Sequence, residues 1–258
     1  MKILVAVKQV PDTSEVSVDE NGSLVRAGVP SILDPYCEYA LRKALSLKEK
    51  GDEVIAFTMG PPQAESALRR CLCLGADRAC LLTDRAFAGA DTWATSRAIA
   101  AFVQRHGCDA DLLVFGQKAS DGETGQVPFE VAQMLSVQQF AYAKDIERCE
   151  GSFLVTQDYG DVLRDCRVPR GSVVAFSDVD PCGTLMSISQ HLEGAGKPVE
   201  TMDRVGLGLG LYSIGLKGSR TKIVRTGTND VRRKNRKAVV GDPSRVAELL
   251  KGEMEARI

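Results

Sequence analysis

The residues with the strongest claim to chemistry lie in one stretch, Gly116-Gln117-Lys118-Ala119-Ser120-Asp121-Gly122-Glu123-Thr124-Gly125-Gln126-Val127, which follows an apolar run and enters an amphipathic one. A strand–turn–helix passage of this kind presents backbone N–H groups at the helix start, about Glu123 to Gln126. Such groups hold an anion because they have no intrahelical acceptor. Gly122 and Gly125 let the backbone come close to a phosphate. An ordinary turn capped by Asp121 has the same spacing, and spacing alone leaves both readings open. The second stretch, Ala90-Asp91-Thr92-Trp93-Ala94-Thr95-Ser96, gathers hydroxyls after Gly89. Either Asp91 caps a helix with Trp93 in the core, or Thr92, Thr95 and Ser96 donate to a ribityl or phosphate chain.

Other chemistries find little support. No G-x-x-x-x-G-K-[ST] and no G-x-G-x-x-G after the first strand occurs, and Gly206-Leu207-Gly208-Leu209-Gly210 lacks a strand–helix setting. The only histidines are His106 and His191, and no G-x-S-x-G elbow exists, so no catalytic residue is assigned. The eight cysteines form no C-x-x-C pair, and they read as small buried or incidental residues with no metal site. A formal net charge of −1 argues against nucleic-acid or membrane-surface binding. The run Arg232-Arg233-Lys234-Asn235-Arg236-Lys237 has no aromatic interleaving and reads as a solvated arm or subunit contact. No apolar run reaches the roughly 18 residues needed for a membrane span. Met1 to Val7 is too short an apolar start for a signal peptide, so a cytoplasmic protein is expected.

The elements that must position these stretches alternate along the chain. Apolar runs at 2–7, 54–59, 79–82 and 112–115 predict strands, and the intervening stripes predict helices. Asp34-Pro35 opens the first helix, Gly75 closes the second, Asp91 caps the third, and a fourth is predicted from about Thr124 to Leu135. Asn21-Gly22 signals a small hairpin, Asp158-Tyr159-Gly160 another, and 172–176 one more buried strand. Continuous apolar strands separated by helices predict an α/β fold, a Rossmann-like parallel sheet with helices on both faces. Its ligand site belongs at the strand carboxyl ends, near Val7-Lys8, Met59-Gly60 and Gly116 onward. Residues 1–180 are expected to form the nucleotide-binding domain. Residues 181–258 are expected to form an extended arm, with little periodicity before a last helix opened by Asp242-Pro243, that leans on another chain.

Val5-Ala6-Val7-Lys8-Gln9-Val10-Pro11-Asp12, Asp34-Pro35-Tyr36, Met59-Gly60-Pro61-Pro62, Gly75-Ala76-Asp77 and Asp121 to Val127 follow one another in this order and at natural spacing. The set resembles electron transfer flavoprotein beta (small) subunits. The resemblance implies a heterodimer with an alpha subunit that carries an FAD, and an adenine nucleotide in this chain at the strand ends. Thr124, Gly125, Gln126 and Val127 would hold phosphates, and Ala6, Lys8 and Met59 would border the adenosine. The family divides into carriers with AMP there and electron-bifurcating members with a second FAD. Ala86 to Ser96, and the short loop from Asp121 to Gln126, are similar to the FAD kind. In that kind NADH reduces this flavin, and the electrons divide between the partner's FAD and a low-potential carrier such as ferredoxin. Thr184-Leu185-Met186-Ser187-Ile188 matches the loop that anchors the family to an acyl-CoA or other dehydrogenase, with Leu185 as the anchor. Two alternatives remain: an AMP-binding structural subunit of a non-bifurcating carrier, and a free-standing adenine-nucleotide-binding protein of the stress type. The coreless arm argues against the second.

Overall fold

The computed structural model describes residues 1–12, 17–18, 24–25, 30–179, 185–222 and 242–255. Contacts divide the chain into two units, Met1–Lys222 and Ile223–Ile258. In the first unit, β1 (Lys2–Ala6), β2 (Gln9–Pro11), β3 (Ser17–Val18), β4 (Leu24–Val25) and β5 (Ser31–Leu33) precede α1 (Pro35–Ser46). There follow β6 (Glu53–Met59), α2 (Glu65–Leu74), β7 (Arg78–Leu82), α3 (Thr92–His106), β8 (Leu112–Gly116) and α4 (Val127–Leu135). The unit ends with β9 (Gln139–Cys149), β10 (Ser152–Asp158), β11 (Leu163–Pro169), β12 (Ser172–Phe176), α5 (Ile188–Gly196), β13 (Val199–Met202) and the short α6 (Gly215–Gly218). The second unit holds α7 (Pro243–Glu255), opened as expected by Asp242, whose Oδ1 accepts from Ser244 N–H at 2.9 Å.

Among the described residues the main sheet has nine strands in the order β11-β10-β9-β12-β8-β1-β6-β7-β13. Strands β9, β12, β8, β1, β6, β7 and β13 run parallel, and the β10–β11 hairpin adds two antiparallel strands at one edge. The central strands are covered on both sides. Ile3, Val5 and Val7 face α1 and α2, whereas Leu4 and Ala6 face the side of α3 and α4. Burial on both faces removes the polar–apolar alternation of a half-exposed strand, which is why these strands read as continuous apolar runs. Each fully buried Leu, Ile or Val contributes about 1.5–3 kcal/mol, so these two layers dominate the stability of the unit.

The expected α/β architecture is present, with differences that have physical causes. Helix α4 begins at Val127 and not at Thr124, because Glu123 (φ 51°) and Gly125 (φ 61°) turn the backbone left-handed. The arm expected from residue 181 is, over residues 185–222, part of the first unit. Helix α5 and strand β13 lie in the stretch that shows little periodicity. α5 opens on a capping box between Ser187 and Gln190 and is held against α2, where Gly194 sits so close that a Cβ would lie 2.4 Å from Cys73 Cα. β13 has only four residues, with Glu200 on the Arg78 guanidinium at 2.7 Å. Leu207 and Ile214 then bury into the α3 side of the core. Strand β9 is also absent from the sequence reading, since its charged residues dilute the apolar signal. The 158–160 hairpin forms as expected, between β10 and β11. β3 and β4 pair at the first hairpin, while its Asn21-Gly22 turn lies outside the described residues, as do Pro181, Cys182, Thr184 and the run 232–237.

Candidate functional site

Reading only the parallel strands that begin each unit of the fold, β7-β6-β1-β8-β12 is the order third, second, first, fourth, fifth. The chain therefore reverses direction across the sheet between β1 and β8, and the crevice outside the carboxyl ends of those two strands is where such sheets bind ligands. Ala6 lies beside Phe57 of β6 and Phe115 of β8, which brings Val7-Lys8, Met59-Gly60 and Gly116 to the same end. Ala6 and Val7 are buried walls, Met59 and Gly60 are half-buried, and the Lys8 side chain is exposed.

The segment after β8 is fastened across this crevice at two points. Asp34, fully buried, caps α1 by accepting from Tyr36 N–H at 3.0 Å and Cys37 N–H at 3.3 Å on Oδ1. Its Oδ2 accepts from Ser120 N–H at 2.7 Å and Ser120 Oγ at 2.8 Å. One carboxylate thus satisfies four donors on two segments that meet only in the folded state. Its charge is favoured by the positive end of α1. Lys8 Nζ lies 2.6 Å and 2.8 Å from the two Asp121 oxygens, tying the loop to the end of β1. Gly116 is required by close approach, since a Cβ there would lie 2.9 Å from Tyr36 Cβ. Below Asp34, burial first and the Asp34 charge second push the Cys37 thiol pKa up, which keeps that thiol protonated and inert.

The rest of the loop is open. Glu123 N–H bonds Ala119 O at 2.9 Å, so it is not available, contrary to the expectation from the sequence. The N–H groups of Thr124, Gly125, Gln126 and Val127 have no acceptor among the described residues. A Cβ on Gly122 would touch nothing within 4 Å, and Asp121, Gly122, Glu123, Thr124 and Gln126 are exposed. Lys118 Nζ pairs with Glu123 at 3.1 Å and lies over the Tyr36 ring, and those two groups hold its pKa above the usual lysine value. Four unpaired N–H groups ahead of a helix, flanked by two lysines, form a donor set suited to phosphate oxygens.

The hydroxyl-bearing start of α3 meets this loop, but not as a uniform donor row. Thr92 Oγ1 lies 3.1 Å from both Gln126 Oε1 and Glu130 Oε1. Ser96 is fully buried, and its hydroxyl donates to Glu130 Oε2 at 2.8 Å, linking α3 to α4 and turning away from the open side. Asp91 caps α3 through Ala94 N–H, as one of the two readings has it, while Trp93 is half-buried beneath the Arg220 guanidinium. Thr95 stands half-buried in the same first turn. Leu185 is elsewhere, 96% exposed just before α5. Sequence reasoning missed Ser120 and Glu130. Ser120 lay inside the quoted loop with nothing to mark its partner, whereas Glu130 is legible as a carboxylate one turn after Gln126.

The electron transfer flavoprotein domain family matches residues 21–203. The chain is 39% identical over 229 residues to the caffeyl-CoA reductase-Etf complex subunit CarD of Acetobacterium woodii, covering 88% of this chain and 87% of that one. It is 38% identical over 234 residues to the electron transfer flavoprotein subunit beta of Clostridium acetobutylicum, covering 90% of each. It is 37% identical over 237 residues to the acryloyl-CoA reductase electron transfer subunit gamma of Anaerotignum propionicum, covering 88% of each. With the family match spanning most of the chain and these relatives aligned nearly end to end, the chain belongs to the electron transfer flavoprotein family, as a beta subunit.

Proposed function

We propose that this chain binds FAD at the strand-end crevice and, paired with an electron transfer flavoprotein alpha subunit bearing its own FAD, passes electrons from NADH by flavin-based bifurcation. The observation that carries the nucleotide is the set of four unpaired N–H groups from Thr124 to Val127 at the switch between β1 and β8. Gly125 takes a left-handed conformation within that backbone, and the charges of Lys8 and Lys118 are matched by Asp121 and Glu123, so the residues present fit a diphosphate through their backbone donors. When bound, FAD supplies reversible hydride and single-electron chemistry that no side chain here possesses. The residues of this chain do the rest. The loop holds phosphate oxygens, Ala6, Val7 and Met59 wall the adenosine, and Thr92 and Thr95 orient what extends beyond it. Asp34 and Ser120 keep the loop in place.

A second reading, AMP in the same crevice as a structural ligand, is favoured by one observation. Ser96, expected to face a flavin, is engaged with Glu130. Docking of an acyl-CoA or other dehydrogenase is assigned to Leu185, with Ile188 and Leu192 also 80% and 68% exposed on the turns that follow. Residues 223–258 are assigned to the alpha subunit. No described helix is long and apolar enough to cross a membrane, the described cysteines are unpaired, and we place the complex in the cytoplasm with ferredoxin as low-potential acceptor. The test is to co-express this chain with its alpha subunit, purify the complex and count FAD and AMP after denaturation. Two FAD without AMP per heterodimer supports the proposal. One FAD with one AMP selects the second reading, and one FAD with no other nucleotide overturns both.

A further inference from the structure

The carboxylate of Asp91 has more partners than a helix cap needs. Its Oδ1 accepts from Ala94 N–H at 2.9 Å at the start of α3. Its Oδ2 accepts from Arg220 N–H at 2.7 Å, Thr221 N–H at 2.8 Å and Thr221 Oγ1 at 3.0 Å. Asp91 N–H in turn donates to Ser219 Oγ at 2.9 Å, and the Arg220 guanidinium lies 3.5 Å from the centre of the Trp93 ring. A few residues earlier the same strand of chain is fitted to the segment before α3. Leu216 N–H bonds Ala88 O at 3.0 Å, and a Cβ on Gly215 would lie 2.0 Å from Ala86 O. Residues 215–221 therefore form a strap along residues 86–93. Lys222, immediately after it, is the last residue of the first unit. On the other side of the same helical turn, Thr92 touches Gln126 and Glu130 of the loop–α4 junction.

We propose that Asp91 is a positioning residue: it locks the outgoing chain onto the first turn of α3, and this clasp and nucleotide binding at the loop stabilise one another. The inference rests on the nucleotide reading above, and it gives Asp91 a place beside the site with no contact to the nucleotide. The physical argument is continuity. With one bond on Oδ1 from Ala94 and three on Oδ2 from Arg220 and Thr221, the Asp91 carboxylate fixes the position of the turn that carries Thr92. Thr92 borders Gln126, whose N–H is one of the four open donors. Loosening the strap frees that turn, and ordering the loop around an anion restrains it. Linkage requires the two effects to be equal in size.

The test uses the heterodimer, freed of nucleotide and then offered AMP or FAD, with hydrogen exchange followed at residues 219–222. Asp91→Asn keeps an oxygen for Ala94 but sets an amide donor against the strap N–H groups. Arg220→Ala combined with Thr221→Val removes the contact with the Trp93 ring and the hydroxyl bond to Asp91 while leaving the α3 cap intact, and it decides the matter should Asp91→Asn fail to fold. The expected result is that nucleotide slows exchange at Arg220 and Thr221 in the unaltered complex, while each variant speeds it and weakens nucleotide binding by about fivefold or more. Faster exchange in the variants, with nucleotide affinity within about twofold of the parent and no protection by nucleotide, overturns the proposal and leaves the nucleotide site standing. If the unaltered complex takes up neither AMP nor FAD, the nucleotide reading falls, and this inference falls with it.

Discussion

Replacing Asp34 probes the site and the fold together, because one buried carboxylate serves both. In Asp34→Asn the remaining oxygen can still cap α1 at Tyr36 and Cys37, but the amide N–H₂ now faces Ser120 N–H, which lies 2.7 Å from Oδ2 in the parent. Ser120 Oγ can rotate to accept, so the principal loss is one backbone donor left without its charged acceptor, about 1–3 kcal/mol. Asp34→Ala adds the loss of the cap, about 1 kcal/mol more. At about 2–4 °C per kcal/mol for a chain of this length, the melting midpoint of the complex falls by about 2–12 °C for Asn and 4–16 °C for Ala. Ser120→Ala alone removes only the hydroxyl bond. The double variant Asp34→Ala with Ser120→Ala is therefore less destabilised than the sum of the singles, by about 1 kcal/mol. The released loop also holds nucleotide less well, by about tenfold for a loss of 1.4 kcal/mol. Scanning fluorimetry of the four complexes, with a nucleotide titration of each, reads both effects. Strict additivity, or a midpoint unchanged in Asp34→Asn, would falsify the account of Asp34 as the shared anchor.

Three further outcomes follow from particular contacts. Gly194→Ala drives a methyl group into the Cys73 backbone, so overpacking costs about 1–3 kcal/mol and shifts α5. Nucleotide content should stay at the parent value while the KM for the dehydrogenase rises in steady-state electron-transfer assays, and an unchanged KM would separate α5 from docking. Hydrogen bonds from the chain's amino group first, then from the Glu49 N–H and Arg148, outweigh burial and hold the Asp52 pKa at about 2. That value lies below the unfolded one, so the stabilisation is complete above about pH 4 and is lost as pH falls toward 2. Urea midpoints measured across this range should fall less steeply in Asp52→Asn. Burial, and next the Glu200 charge, push the Cys80 thiol up to about 11, and Cys37 and Cys71 are pushed up by burial as well, whereas Cys108 is exposed. Native alkylation near about pH 8 should mark Cys108 and spare these three until unfolding, as read by peptide mass spectrometry.

Elements whose signals are local can be read from the residues alone. Strands buried on both faces must be apolar throughout, Asp34 and Asp91 mark helix starts with side-chain carboxylates and Gly75 marks a helix end with its backbone freedom, so β1, β6, β8, α1, α2 and α3 were all legible. The ordered motifs from Val5 to Val127 carried the family. Signals that depend on a distant partner were not legible. α5 has a local start signal in the Ser187–Gln190 capping box, but its seat, with Gly194 against Cys73, is set by α2, and β13 is a strand because β7 offers it an edge. At the site, the stretch from Gly116 to Val127 announced a turn that could meet an anion. Folding adds that Glu123 N–H is occupied, that Ser96 turns to Glu130, and that Asp91 holds residues 220 and 221. The first is a local turn bond set by the left-handed backbone at Glu123, whereas the partners of Ser96 and Asp91 lie 34 and about 130 residues away and are brought near only by packing of the sheet and its helices.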